Sequence, residues 1–144
     1  MNLANIIQKA KAAEDPGVIS RAIPYANFIG IEAHLDNGAV VCTMTGSDAI
    51  IGNPILPAIH GGVIGAFLEH AALMLLLWEL APGQLPKTVN VSIDYLRTGR
   101  LEETYARGSV TRQGRRVVNV RVEAWQADPS MPIALAHGHF LISD

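Results

Sequence analysis

The chain has 144 residues, the length of one domain, and its net charge of −2 gives no bulk electrostatic case for nucleic acid or an anionic membrane surface. Apolar residues make up 49% and charged residues 17%, which predicts a well-filled core with apolar surface left for a partner subunit. A lone cysteine, Cys42, excludes an intrachain disulfide and a thiolate metal cluster, and it fits a reducing cytoplasm.

The stretch from Met1 to Lys9 has no basic n-region and no long apolar core, so it does not read as a signal peptide. Leu3, Ile6, Ile7 and Ala10 recur at helical spacing, and Asp15-Pro16-Gly17 ends that helix. Val18 to Ala22 adds another helical turn before Pro24, which makes residues 1 to about 23 a helical extension. Phe28 to Leu35 and Ala39 to Thr45 read as strands joined by Asp36-Asn37-Gly38, a favoured hairpin signal. Gly52-Asn53-Pro54 and Pro57 mark a loop. A long apolar helix runs from Gly61 to about Leu80, and Pro82-Gly83 stops it. Its unbroken apolar run, Ala71 to Trp78, is too short for a bilayer, which needs about 20 residues. Four more strands follow. Thr88 to Leu96 alternates, with Val89, Val91, Ile93 and Tyr95 on one face. Thr104 to Thr111 and Arg116 to Trp125 flank Gln113-Gly114, and Ile133 to Ile142 comes after Asp128-Pro129. A helix that is apolar nearly all round must be buried on most sides. The expectation is one α+β domain over residues 1–144, an antiparallel sheet wrapped around one long central helix.

Glu69 stands out on that helix. It is the only acid between Asp48 and Glu79, and no Lys or Arg occurs between Arg21 and Lys87. A buried carboxylate without a cation costs several kcal/mol or shifts its pKa upward, an expense that marks working groups. One turn back are Gly65 and Ala66, and two turns back Gly62, so the side chain leans over open space. Either that space takes a ligand, or the glycines serve close helix packing across a dimer. Gly61 and Gly62 expose N–H groups at the positive end of the helix, suited to an oxyanion or carbonyl. Gly61 and Glu69 are about 12 Å apart along the axis and cannot both reach one carbonyl from the same chain. Two antiparallel copies would place Gly61 of one opposite Glu69 of the other, which predicts an obligate homodimer with shared sites.

His60-Gly61-Gly62, an acid nine residues after the histidine, and Pro86-Lys87-Thr88-Val89-Asn90-Val91-Ser92-Ile93-Asp94-Tyr95-Leu96-Arg97 together resemble the hot-dog-fold acyl-CoA thioesterases. The likeness is greatest to their phenylacetate-degradation and 4-hydroxybenzoyl-CoA branch, and covers roughly residues 25–143. The resemblance implies a hot-dog fold, a homodimer that often pairs into a tetramer, and hydrolysis of acyl-CoA to free acid and CoA. No cofactor is implied beyond the CoA of the substrate. Glu69 matches the family's catalytic carboxylate, and Gly61 the glycine whose N–H polarises the carbonyl from the partner subunit. His60 matches the positioning histidine, and Thr88 a hydroxyl that places water. Gly62 lines the same helix start. Where many members carry Asn or Gln, this chain has Pro54, with Asn53 adjacent, and Leu73 stands where some carry a Thr.

Up to Gln84 there are three Lys/Arg against seven Asp/Glu; from Leu85 onward there are eight against six. The resemblance therefore makes Arg97, Arg100, Arg115 and Arg116 candidates for the CoA phosphates, since guanidinium forks suit phosphate. Solvated loop charges are the other reading. His70 points about 100° from Glu69 and reads as a core or interface histidine. His137 and His139 share a strand face, but no third ligand is spaced to complete a metal site. Phe28, Phe67, Met74 and Trp78 are candidates for acyl pocket or core. Two rival functions remain. A dehydratase on the same fold needs a His well upstream of the Glu, and none lies between His34 and His60; a hydratase needs Asp-x-Asn-Pro, and Gly52-Asn53-Pro54 lacks the Asp. A non-catalytic acyl-CoA binder would keep the pocket without turnover.

Overall fold

The computed structural model describes residues 2–143; Met1 and Asp144, the ends of the expected domain, lie outside the described residues. Three short helices open the chain: α1 (Leu3–Ala12), α2 (Gly17–Arg21) and α3 (Pro24–Ile29). Asn2 caps α1, its Oδ1 accepting the Asn5 N–H at 2.9 Å. Asp15 turns the chain into α2, accepting from the Gly17 N–H and the Arg21 guanidinium. That guanidinium holds the Asp15 carboxyl below its usual range. Pro24 begins α3 rather than ending a helix, because its fixed φ suits the first helical position. Gly30, at φ 82°, caps α3. This corrects the sequence expectation: Phe28 to Gly30 belong to a helix end, and the first strand starts at Ile31.

The strands are β1 (Ile31–Asp36), β2 (Ala39–Met44), β3 (Ile51–Asn53), β4 (Ala58–Ile59), β5 (Leu85–Tyr95), β6 (Thr104–Gln113), β7 (Val117–Trp125) and β8 (Ala134–Ser143). Six of them form an antiparallel sheet in the order β1-β2-β6-β7-β8-β5, which leaves β5 with one unpaired edge. Asn37 and Gly38 both have positive φ, 50° and 81°, the turn that matches strand twist in a two-residue hairpin. The expected loop before the long helix contains a small ladder, β3 with β4.

The long helix, α4 (Gly61–Glu79), lies against the sheet, and Phe67, Leu68, Met74 and Leu76 join Val118, Val120, Val122 and Phe140 in one buried core. This is the hot-dog arrangement that the resemblance implied. By length and composition α4 would cross a membrane, yet it is the core helix of this domain. The opening helices cover a second flank of it. Ser20 Oγ meets His70 Nε2 at 3.0 Å, and Lys11 Nζ donates to the Leu80 carbonyl at 2.9 Å. That ammonium complements the negative end of the helix.

Two bulges set side-chain directions near the middle of the sheet. In β5, Thr88 pairs with Phe140 and Asn90 with His139, so Val89 is the extra residue. The uninterrupted alternation expected from sequence therefore breaks there. Val89 is 60% exposed, and Thr88 moves to the helix-facing side that Phe140 occupies. In β6, Val110 pairs with Val120 and Arg112 with Asn119, which turns Arg112 to the outer face.

Candidate active site

The start of α4 is held from several directions. The His60 N–H donates to Ile50 O at 2.8 Å, and the Ile59 N–H to Gly99 O at 2.9 Å. Gly52 packs so closely that a Cβ there would come 2.6 Å from His60 Cα. His60 is the N-cap, and its Nδ1 accepts the Gly62 N–H at 2.9 Å. The Gly61 carbonyl accepts a 2.7 Å hydrogen bond from the Tyr95 hydroxyl on β5. Among the described residues, no acceptor meets the Gly61 N–H. Tyr95 is the site residue that sequence reasoning missed. The sequence showed only that it shares a strand face with Ile93 and Val91, the side turned to the helix.

The glycines differ in what they answer to. A Cβ at Gly65 would lie 2.8 Å from Ile93 Cδ1, so the chain's own packing explains that glycine. A Cβ at Gly61 would meet only the Tyr95 ring, at an ordinary 3.6 Å, and one at Gly62 only the movable His60 ring, at 3.0 Å. Nothing inside the chain demands glycine at 61, and a glycine in a helix costs up to about 1 kcal/mol relative to alanine.

Glu69 is half-buried, not enclosed as its apolar surroundings suggested. The reason is a stripe that neither the sheet nor the opening helices cover: Gly62, Ala66, Glu69 and Leu73, spaced by four, three and four residues, are all less buried than their neighbours. On one side of the stripe Gly61 and Gly65 face β5; on the other, His70 faces α2. Glu69 makes no hydrogen bond and no ion pair among the described residues. Thr88, turned to the helix side by its bulge, is exposed at the sheet edge. Asn53 sits before the loop that leads into α4, and its Oδ1 accepts from the Ile55 and Leu56 N–H groups at 3.0 and 3.4 Å. Only its amide nitrogen is left for a ligand. Pro54 and Leu73 supply no polar contact.

The four arginines do not form one group. Arg97 and Arg100 follow β5 at the α4 start, while Arg115 and Arg116 sit at the β6–β7 hairpin. The β8 register from Ala134 to Leu141 separates the two ends by roughly 23 Å. The Arg97 guanidinium already donates to Pro132 O at 2.6 Å. Gln126 holds the Arg100 backbone through both its N–H and its carbonyl. Arg115 and Arg116, with Arg112 and Asn119, line an open cleft of about 600 Å³ on the outer face, where His139 also lies. None of its three arginines is in an ion pair among the described residues.

The remaining candidates are structural. His70 is buried against Ser20, and burial pushes its pKa down to about 4, so the ring is neutral. Cys42 is a core thiol, pushed up to about 12 by burial and thus unreactive. His139 Nδ1 meets Asn90 Oδ1 at 2.7 Å on the outer face, beside the exposed His137. Phe67 and Met74 are core, Trp78 is half-buried, and Phe28 stacks on Tyr25 at the surface. One chain thus presents two half-sites on α4: an N–H at Gly61, beside the stripe, and a carboxylate at Glu69, on it and about 12 Å away, neither with a partner among the described residues.

The family profile described as thioesterase superfamily matches residues 56–133, more than half of the chain. Among solved structures, one of a Chromobacterium violaceum protein is 36% identical over 99% of this chain and 96% of that one, with a TM-score of 0.76. A phenylacetic acid degradation-related protein from Ralstonia eutropha, named as a candidate thioesterase, is 25% identical over 95% and 99%, with a TM-score of 0.77. A Bacillus halodurans protein solved with CoA is 20% identical over 99% and 91%, with a TM-score of 0.72. Curated protein sequences give no match.

Proposed function

The chain belongs to the thioesterase superfamily, and on that footing we propose that it hydrolyses an acyl-CoA thioester to free acid and CoA. The observation that carries this reading is the uncovered stripe of α4, with Glu69 on it and Gly61 beside its start, the carboxylate and the N–H both without a partner among the described residues. A two-fold axis at the level of Gly65 sets each Glu69 opposite the partner's Gly61. Gly65 rests on Ile93, so the same axis pairs the free β5 edges about Ile93. The exposed apolar side chains Val89, Tyr95 and Leu96 on and just after that strand support a homodimer.

In this site the Glu69 carboxylate removes a proton from water, and the hydroxide adds to the thioester carbonyl carbon. The carbonyl electron pair moves to oxygen, where the partner's Gly61 N–H stabilises it. Collapse expels the CoA thiolate, which takes the proton back from Glu69. In the other route Glu69 attacks directly, and water then hydrolyses the acyl-enzyme anhydride. Single turnover in labelled water separates them, since label enters the Glu69 carboxylate only in the second. Thr88 and Asn53 are the polar helpers that the family resemblance offers for placing the water and the substrate. The cleft at Arg115 and Arg116, widened by Arg112, is the favoured seat for CoA phosphates, because its guanidinium groups make no ion pair among the described residues.

The test is thiol release from short, long and aromatic acyl-CoAs. At least one is hydrolysed, and Glu69→Gln lowers kcat at least about a hundredfold. Tight CoA binding with no turnover of any acyl-CoA sinks this reading in favour of a binding protein.

A further inference from the structure

We infer that Tyr95 is the positioning residue of this site: it fixes the first peptide of α4 and, through that peptide, both the direction of the Gly61 N–H and the tautomer of His60. The kinetic part rests on the thioesterase reading; the tautomer part does not. The Gly61–Gly62 peptide is gripped at both ends. Its carbonyl accepts from the Tyr95 hydroxyl at 2.7 Å, and its N–H donates to His60 Nδ1 at 2.9 Å. A peptide between two glycines has no Cβ to restrict it, so these two bonds add to what the helix itself supplies. Hydrogen bonds in series polarise one another by about 10–30% per bond, so the tyrosine strengthens the donor that the histidine receives.

Two consequences follow at the site. The preceding peptide carries the unclaimed Gly61 N–H; its carbonyl accepts from the Val63 and Ile64 N–H groups at 3.0 and 3.1 Å, and the Tyr95 bond braces the peptide that follows it. Accepting at Nδ1 leaves the neutral His60 ring its proton on Nε2, on the side away from the Gly62 amide. The helix start therefore offers two outward donors, Gly61 N–H and His60 Nε2–H, and Tyr95 sets both without touching the substrate. Tyr95 is also the last residue of β5, the edge strand, and is 54% exposed. Its position ties the geometry of the helix start to the edge where a second copy would pair.

Tyr95→Phe keeps the ring that packs on Gly61 and removes only the hydroxyl. The expected result is a kcat about tenfold lower, with KM for the acyl-CoA within twofold and the melting temperature lower by no more than the roughly 4 °C that one lost hydrogen bond costs. A merely structural role would instead move KM and melting temperature together. The second readout is ring ¹⁵N NMR of His60. The wild-type protein shows a single Nε2–H tautomer at neutral pH, and Tyr95→Phe shows a tautomer mixture. A kcat within twofold of wild type overturns the inference, as does an unaltered His60 tautomer in the variant. A wild-type ring protonated on Nδ1 overturns it without any variant. If no acyl-CoA is hydrolysed at all, the NMR arm alone decides the role of Tyr95.

Discussion

Gly61 allows its N–H to be removed with little disturbance of the fold. Proline is tolerated at the first helical position, and His60 already has φ −59° and ψ 130°, the extended backbone that precedes proline. The N–H that proline deletes has no acceptor among the described residues, and a Cβ at Gly61 would meet Tyr95 at an ordinary 3.6 Å. Gly61→Pro should therefore melt at or above the wild-type temperature while kcat/KM falls by about 10²–10³, the cost of one oxyanion donor. A variant that melts normally and retains full turnover removes Gly61 from the mechanism. His70 gives a residue-scale prediction about stability. Burial holds its pKa near 4 against 6.5 for the free side chain. Below pH 6.5 the unfolded chain takes up a proton that the folded chain refuses, so stability falls as pH drops toward 4 and then levels. The loss is at most about 3 kcal/mol. Denaturant midpoints from pH 7.5 to 4.5 should show this slope in the wild type, and a His70→Gln chain should lack that share of it.

At the scale of elements, α4 and β5 are locked by Gly65 against Ile93. Alanine at 65 gains up to about 1 kcal/mol of helix propensity, but its Cβ would stand 2.8 Å from Ile93 Cδ1, and overpacking costs typically about 1–3 kcal/mol. Gly65→Ala should be neutral to destabilising alone, and stabilising once Ile93→Val has removed that methyl. A double-mutant cycle should give a coupling of about 1 kcal/mol or more, and strict additivity would show that the two elements do not meet as described. The elements that could be read from sequence were those with strong local signals. Asn37-Gly38 could hardly be anything but a hairpin turn, and a charge-poor run from Gly61 closed by Pro82-Gly83 had to be a buried helix. The missed ones depend on context. Pro24 reads as a stop or as a first helical residue, and only tertiary packing chose the latter. The Val89 bulge leaves no mark in an alternating strand, yet it decides that Thr88 faces α4. The β3–β4 ladder is too short to carry a pattern. Glu69 and Gly61 stood out as candidates because their residue types are improbable where they stand, and His60 through the family resemblance. Tyr95 did not, because an aromatic on a strand is ordinary until its hydroxyl is seen on the Gly61 carbonyl.

For the whole molecule, the question is whether a site lies within a chain or between two. Within one chain the Gly61 N–H and the Glu69 carboxylate lie about 12 Å apart along a rigid helix. Arg97 and Arg100 lie roughly 23 Å along the sheet from Arg115 and Arg116. In the homodimer proposed above, a two-fold axis at Gly65 and Ile93 reverses the partner's strand and brings both separated sets to a common end. Such an interface is isologous, so each dimer holds two equal sites, each built from Glu69 of one chain and Gly61 of the other. Mixing two inactive proteins tests this. Glu69→Gln and Gly61→Pro homodimers have every site broken. After subunit exchange, about half of the dimers are mixed, and each mixed dimer has one site with both defects and one with neither. Activity should return to about a quarter of wild type, with the time course of exchange. If both groups came from the same chain, every site in the mixture would still carry one defect, and no activity would return.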